Sequence, residues 1–559
     1  MAGSSQGGRE LIGQVLKGLG HVKESGVQEA LAEQRKHGGL IGQHLVTLGH
    51  VTPAQLALGL ANQAGLEAVD LSGATPTGEA LEALDPTTAH AFGVLPLSLS
   101  GGTLRVAIAD PLNTAVLEDL RFTTGLEVVG CLGEGDRLRE LIEQHYGQEE
   151  SLKDVIADAA REAAGGNPED AAASAPVVRL LNSILHRAIR DRASDVHFEV
   201  FPGELRIRYR VDGSLYEIEA PPAHLAAAIL ARIKVMSDLD IAETKLPQDG
   251  RIALVIDGRP VDLRVATLPG IAGEGAVLRV LDRSAVSLDL DALGLQREDS
   301  DVLRELCELP HGIVLVTGPT GSGKTTTLYA MLSEINEPGT KIITVEDPVE
   351  YDIEGLVQVP INDEIGVTYA KVLRTVLRQD PDKILVGEIR DADTASTAVE
   401  ASLTGHTVFA TVHTNDAPSA ITRMVDMGIE PFLITATLEA VVAQRLVRKV
   451  CPDCKDTYEA DEDLIRELGD AGERLRGVKL AYGKGCDQCF HTGYRGRTAI
   501  HEIMRMDRTL RDAIGRGAAT AEVRRLAVSS GMRTLRLAGL ERVAAGVTTV
   551  DEVLRETMM

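Results

Sequence analysis

The chain has 559 residues, 44% of them hydrophobic and 25% charged, and a formal net charge of −26. That balance excludes wholesale disorder, and at about 150 residues per domain the length predicts three or four domains. The acidity, the lack of Trp and an aromatic content of 3% exclude a general nucleic-acid binder, which needs a cationic face for phosphates or aromatic platforms for bases.

At the N-terminus, Met1 to Gly8 carries neither a basic n-region nor an apolar h-region, which argues against secretion, and Ala2 removes the myristoylation pattern. Nowhere do about 18 apolar residues run together, so no transmembrane helix is expected. A repeat comes first: LIGQVLKGLGHVKESGVQEALAEQ from Leu11 to Gln34 returns as LIGQHLVTLGHVTPAQLALGLANQ from Leu40 to Gln63, offset by 29 residues. Each copy has helical apolar spacing, a break at Gly20 or Gly49 and a second helix, so two helical hairpins are expected to pack together within residues 1–65. Thr52-Pro53 is an N-cap and first-turn signal.

Residues 66–147 read as a small α/β module, with a strand at Thr103–Ala109 after the Gly101-Gly102 turn and an amphipathic helix at Asp136–Tyr146. Residues 148–174, acidic and rich in Ala and Gly, read as a linker with a frayed helix in the first half, an ordinary surface helix pair being the other reading. From residue 175 to 285 a third module is predicted. It has a helix over Val177–Ile189, strands over Asp195–Ile218 turning at Asp212-Gly213, and further strands over Arg251–Val280 broken by Gly258, Pro269 and Gly275. From residue 286 to 559 short apolar runs alternate with helical stretches. Gly312–Thr317, Lys341–Val345, Lys383–Val386 and Thr407–Val412 are candidate buried strands, so a parallel sheet covered by helices is expected.

Gly318, Pro319, Thr320, Gly321, Ser322, Gly323, Lys324 and Thr325 spell GPTGSGKT, a full G-x-x-x-x-G-K-[ST] match between a predicted strand and helix. The glycines let backbone N–H groups turn toward phosphates, the helix start adds positive charge, Lys324 reaches the β and γ phosphates of ATP, and Thr325 can ligate Mg²⁺. Hydrolysis also needs a carboxylate. Glu346, Asp347 and Glu350 lie just past one strand end and Glu388 past another, where α/β sheets place their sites.

KIITVEDPVEY from Lys341, RQDPDKILVGEIRD from Arg378 and TGHTVFATVHTN from Thr404, taken with the phosphate loop, resemble the Asp box, Walker B and His box of the secretion ATPase superfamily. The resemblance is to the assembly ATPases of type II secretion and type IV pili. It implies a hexameric ATPase with a RecA-like core behind a PAS-like domain, in the cytoplasm and held to the inner membrane through a platform and docking proteins. By resemblance Glu350 is the general base and Glu388 a Mg²⁺-water ligand or second base. His406 and His413 are candidate γ-phosphate sensors. The PAS-like module carries Arg210, Arg251, Arg264 and Arg279. The resemblance implies that Arg251 and Arg264 reach a neighbouring chain's nucleotide, where a planar guanidinium suits charge spread over three oxygens.

Of six cysteines, Cys131 and Cys307 stand alone and read as small buried hydrophobes. Cys451 and Cys454, then 31 residues, then Cys486 and Cys489 make a closed four-thiolate set suited to structural Zn²⁺. The resembling assembly motors carry this element and retraction motors typically lack it. The N-terminal repeats resemble a domain that binds cyclic di-GMP, but both copies begin Leu-Ile-Gly where that domain has Arg-Leu-Gly, so a docking module is the other reading. An assembly motor is therefore expected. A retraction or DNA-uptake motor, or a cyclic di-GMP receptor with a degenerate motor domain, is the alternative.

Overall fold

The computed structural model describes residues 12–37, 41–64, 66–71, 73–84, 86–109, 116–117, 120–121, 124–146, 152–162, 174–256, 259–282, 288–291 and 293–558. Arg9 and Leu11 at the first repeat, Gly38 to Leu40 at the second, the acidic stretch 163–173 and Gly258 lie outside them. The chain divides into two compact units, Met1–Ala285 and Val286–Met559.

In the first unit the repeats form helices Ile12–Gly18, Glu24–His37, Ile41–Thr47 and Pro53–Ala64. Leu16 and Leu45, equivalent in the two copies, are fully buried in one core with Val22, Val27, Ala30 and Val51. The copies interlock: a Cβ on Gly59 would stand 2.6 Å from Leu16. The next module is a four-stranded sheet in the order Glu67–Ala68, Glu127–Leu132, Thr103–Ile108, Leu95–Ser100. Helix Gly135–Tyr146 lays Leu138, Leu141 and Ile142 into its core. Cys131 is buried there and burial pushes its thiol up to about 11.

The first half of the linker segment holds a helix, Leu152–Glu162, as expected there, and it packs instead of fraying: Val155, Ile156 and Ala159 are buried in the next module's core. Three apolar residues make too narrow a stripe to stand out in an Ala-rich acidic run, and they form a face only against the neighbouring helix Ala175–Arg190. That module is a six-stranded antiparallel sheet, ordered Ser214–Ile218, Glu204–Val211, Asp195–Phe201, Gly273–Asp282, Arg259–Gly270, Gln248–Ile256. It stands where the resemblance places a PAS-like domain. The turn after Glu204–Val211 falls at Asp212-Gly213, both at positive φ. Pro269 and Gly275 do not break strands as expected. Both lie inside the hairpin, whose turn comes between Gly270 and Gly273. Gly275 is needed for close approach instead, since a Cβ there would stand 3.1 Å from the Phe198 carbonyl oxygen.

The second unit is built on a seven-stranded sheet ordered Val357–Pro360, Ile342–Glu346, Lys383–Val386, Thr407–Val412, Gly312–Thr317, Leu438–Val450, Tyr494–Arg505. All neighbours are parallel except the last pair. Every residue of Gly312–Thr317 is buried. Ile313 and Leu315 enter one core while Val314 and Val316 enter the core on the other face, as a sheet covered on both sides requires. Cys307 belongs to the second of these cores, and burial pushes its thiol up to about 12. Among the described residues no helix is long and apolar enough to cross a membrane.

Candidate functional site

The phosphate-loop residues lie between strand Gly312–Thr317 and helix Lys324–Glu334. Gly321 and Gly323 take φ of +77° and +85°, a conformation other residues resist. Pro319, Thr320 and Gly321 are exposed at the tip, Ser322 and Lys324 are buried, and Thr325 is half-buried in the first helical turn. Lys324 Nζ donates to the carbonyls of Gly318 and Pro319, at 2.9 and 3.0 Å. Burial holds this ammonium below its usual range, and the nearby Glu388 carboxylate opposes that shift. Ser322 Oγ is buried with no hydrogen-bond partner among the described residues. A buried hydroxyl and an ammonium resting on its own loop suit a ligand rich in oxygen acceptors.

The loop is propped from behind by Gln444, which sequence reasoning missed. Its Nε2 donates to the Ser322 carbonyl at 2.8 Å and its Oε1 accepts from Thr327 Oγ1 at 2.9 Å. A Cβ on Gly318 would stand 2.5 Å from the Gln444 carbonyl oxygen. The signal for Gln444 was weak: one of several polar residues in its strand, 117 residues from Thr327.

The four carboxylates differ. Glu346 is buried and both oxygens are engaged: one accepts from Tyr329 OH, the other from Thr344 Oγ1 at 2.5 Å and Gln358 Nε2 at 3.2 Å. The same Tyr329 hydroxyl accepts the Glu350 backbone N–H at 3.4 Å. Tyr329 therefore ties the phosphate-loop helix to the turn that carries Glu350. Burial first, then the Glu346 carboxylate, raises the Tyr329 hydroxyl far above its ordinary range and keeps it a donor. Glu388 follows strand Lys383–Val386 and meets Arg390 on one oxygen and His413 Nε2, at 3.5 Å, on the other. Arg390 also approaches Asp347 at 3.7 Å, so one cation bridges the two acidic boxes. His406 is not at this site. It precedes strand Thr407–Val412, while His413 follows it, which puts the two histidines about 20 Å apart along the strand. His406 Nδ1 instead lies 2.9 Å from the Ala401 carbonyl at a helix end.

In the first unit, Arg210, Asp195, Arg279, Arg264 and Arg251 stand directly opposite one another in a single row across five strands. Asp195 pairs with Arg279 and approaches Arg210, and Arg251 pairs with Asp262 at 2.9 Å. Arg264 stands directly between Arg279 and Arg251 on the adjacent strands.

The sulfurs of Cys451, Cys454, Cys486 and Cys489 all lie within 4.8 Å of one another, with approaches of 3.7 to 3.9 Å. Thiolates about 2.3 Å from a common zinc sit about 3.8 Å apart in a tetrahedron, so the donor set fits that ion. The N–H groups of Gly485, Cys486 and Gly493 point at sulfur, from 3.2 to 3.3 Å.

A family model described as type II/IV secretion system protein matches residues 170–555, and another, described as the MshEN domain, matches residues 64–152. The second match covers the four-stranded module and not the helical repeats. The type IV pilus assembly ATPase PilB of Myxococcus xanthus is 40% identical over 557 residues, 98% of each chain. The type II secretion system protein E of Xanthomonas campestris pv. campestris is 45% identical over 471 residues, 83% of each chain. That of Dickeya dadantii is 51% identical over 383 residues, 68% of this chain and 76% of the relative. Among solved structures the ATPase DotB of Yersinia pseudotuberculosis shares the fold at a TM-score of 0.52 and 21% identity, covering 68% of this chain and 93% of that one.

Proposed function

The chain belongs to the type II/IV secretion system protein family, and from that premise we propose that it is an ATPase motor driving pseudopilus or pilus assembly. The observation that carries this is the phosphate loop with Lys324 close to Glu388, which His413 contacts, at the carboxyl ends of buried parallel strands. Loop N–H groups and Lys324 take the phosphates. Thr325, and Glu388 through water, would hold Mg²⁺, which would supply charge neutralisation at the transferring group. Glu350 orients and deprotonates the attacking water, on a turn fixed by Tyr329. Glu346, saturated by its own donors, positions that turn. His413 reads the γ phosphate.

Arg251 and Arg264 act on the nucleotide of a neighbouring chain in a homo-hexamer. The row supports this, because it gathers the guanidiniums of Arg251, Arg264 and Arg279 in one line, a donor set that suits the several oxygens of a polyanion. Domains divide as 1–65, 66–147, 148–174, 175–285 and 286–559, with the helix at 152–162 joining the fourth. The cysteine set holds a structural zinc. The motor works in the cytoplasm, attached to the inner membrane through platform and docking proteins, and needs no nucleic acid. The N-terminal repeats serve docking more than cyclic di-GMP binding.

Phosphate release by the purified chain tests this. Glu388→Gln should retain ATP binding while turnover falls by orders of magnitude; wild-type turnover in that variant would refute the assignment.

A further inference from the structure

The turn that follows His413 is fastened at every residue. Thr414 N–H donates to Thr317 Oγ1 at 2.8 Å, directly before the phosphate loop. The Asn415 carbonyl accepts from Arg445 at 3.1 Å. Asp416 pairs with Arg524 at 2.5 Å and caps the helix Ala417–Asp426 through the Ser419 N–H. Ala417 N–H donates to Glu502 Oε1 at 2.9 Å. Glu502 lies on strand Tyr494–Arg505 and is 1% exposed. Its second oxygen accepts the Leu535 N–H at 3.2 Å, at the start of helix Leu535–Ala544. One buried carboxylate thus holds the first N–H of two helices, one leaving the His413 turn and one in the C-terminal bundle.

We propose that Glu502 is a positioning residue for ATP hydrolysis: it fixes the His413 turn to the C-terminal helices, so turnover depends on it although it touches neither the phosphate loop nor Glu388. Both helices present partial positive charge to the same carboxylate, so a displacement of either is felt by the other. Arg524, from helix Thr520–Ser529, adds a second tie one residue earlier. The burial that raises the Glu502 carboxyl is offset by these two N–H groups rather than by a direct ion pair. Such a group is conditional on both helices staying in place.

The inference rests on His413 serving the reaction, and the experiment separates the two. Glu502→Gln replaces one acceptor oxygen with a donor, so one helix loses its cap. Steady-state hydrolysis is measured for the full chain carrying His413→Ala, Glu502→Gln and both. His413→Ala alone tests the histidine. Glu502→Gln should lower kcat at least about tenfold with KM for ATP little changed, as misplacement of a reacting group does. The double variant should be no worse than the poorer single one, because both changes act through one turn. An unchanged kcat in Glu502→Gln, losses that multiply, or a loss that His413→Ala does not share would each overturn the proposal. Should Glu502→Gln fail to fold, Arg524→Ala, whose side chain is partly exposed, takes its place with a smaller loss and the same non-additivity.

Discussion

The phosphate loop and the cysteine knuckle share one strand, Leu438–Val450, and are built on opposite principles. Gln444, in the middle of the strand, props a loop whose shape is set by the chain itself: three glycines, one strand end and one helix start. Cys451 directly follows the strand and faces Cys454 in its own turn and Cys486 and Cys489 in a second turn, remote in sequence. Four ionised sulfurs repel, so the ion must organise them. The loop is ready before its ligand arrives, whereas the knuckle depends on its ligand for shape. Substitutions in the first should alter turnover with little effect on folding, and substitutions in the second the reverse.

The largest effect expected on turnover comes from Lys324→Ala. In the proposed site its ammonium is the cation for the β and γ phosphates, so hydrolysis should vanish. Folding should barely change, because the buried ammonium gives up hydration to bond two loop carbonyls, a net exchange of about 1 kcal/mol. Phosphate release and thermal melting of the same preparation check both halves. A variant that melts far below wild type would break the comparison, because the loop would then owe its shape to the lysine.

Cys451→Ser comes next. Structural zinc contributes on the order of 10 kcal/mol of apparent binding energy, so its loss should loosen the segment between the cysteine pairs. Zinc content by elemental analysis should fall from one per chain, and protease should cut within 455–485 while the phosphate loop still binds nucleotide. Well-folded wild type with less than one zinc per chain would remove the site.

How far each region could be read from sequence follows the same division. The phosphate loop, the four cysteines and the strands Gly312–Thr317, Lys383–Val386 and Thr407–Val412 were legible because each is local. What stayed hidden was remote partnership: Gln444 on Ser322, Tyr329 on Glu346, Arg390 between Glu388 and Asp347. A helix in the first half of 148–174 was expected, but that Leu152–Glu162 packs was hidden for the same reason, its stripe having meaning only against helix Ala175–Arg190. His406 misled in the other direction, since its motif neighbour His413 sits at the far end of the same strand. A period-2 strand reports faces, not ends.

In the proposed hexamer the arginine row would be a third way to present charge to phosphates, from side chains, and mixing tests it. Arg251→Ala and Lys324→Ala chains, each inactive alone, are combined and their co-assembly verified. An arginine acting in trans predicts that some sites pair an intact loop with an intact Arg251, so part of the activity returns. Complete absence of rescue would return the row to a structural role in its own sheet, where Arg251 already pairs with Asp262.

The smallest effect is expected at the N-terminal repeats, and it sharpens the comparison most. A dianionic dinucleotide needs donors set in place beforehand, as the phosphate loop has them. Within the described repeat residues, Lys17 is paired with Glu24, and His50 Nε2 lies 2.9 Å from a Glu29 carboxylate oxygen, so both side chains are already engaged. The glycines at matching positions serve packing: a Cβ on Gly13 would stand 3.0 Å from Val27, and one on Gly42 would stand 2.8 Å from Leu56. Of the helix starts at Glu24 and Pro53, the first carries a carboxylate in its opening turn and the second already gives the Gln55 N–H to Thr52 Oγ1, at 3.3 Å. Weak binding of cyclic di-GMP, or none, is therefore expected in calorimetry on the full chain. Submicromolar affinity abolished by substitutions confined to the repeats would mean that an apolar helical frame can hold the ligand without the arginine. The contrast with the phosphate loop would then lie in helix packing and not in charge.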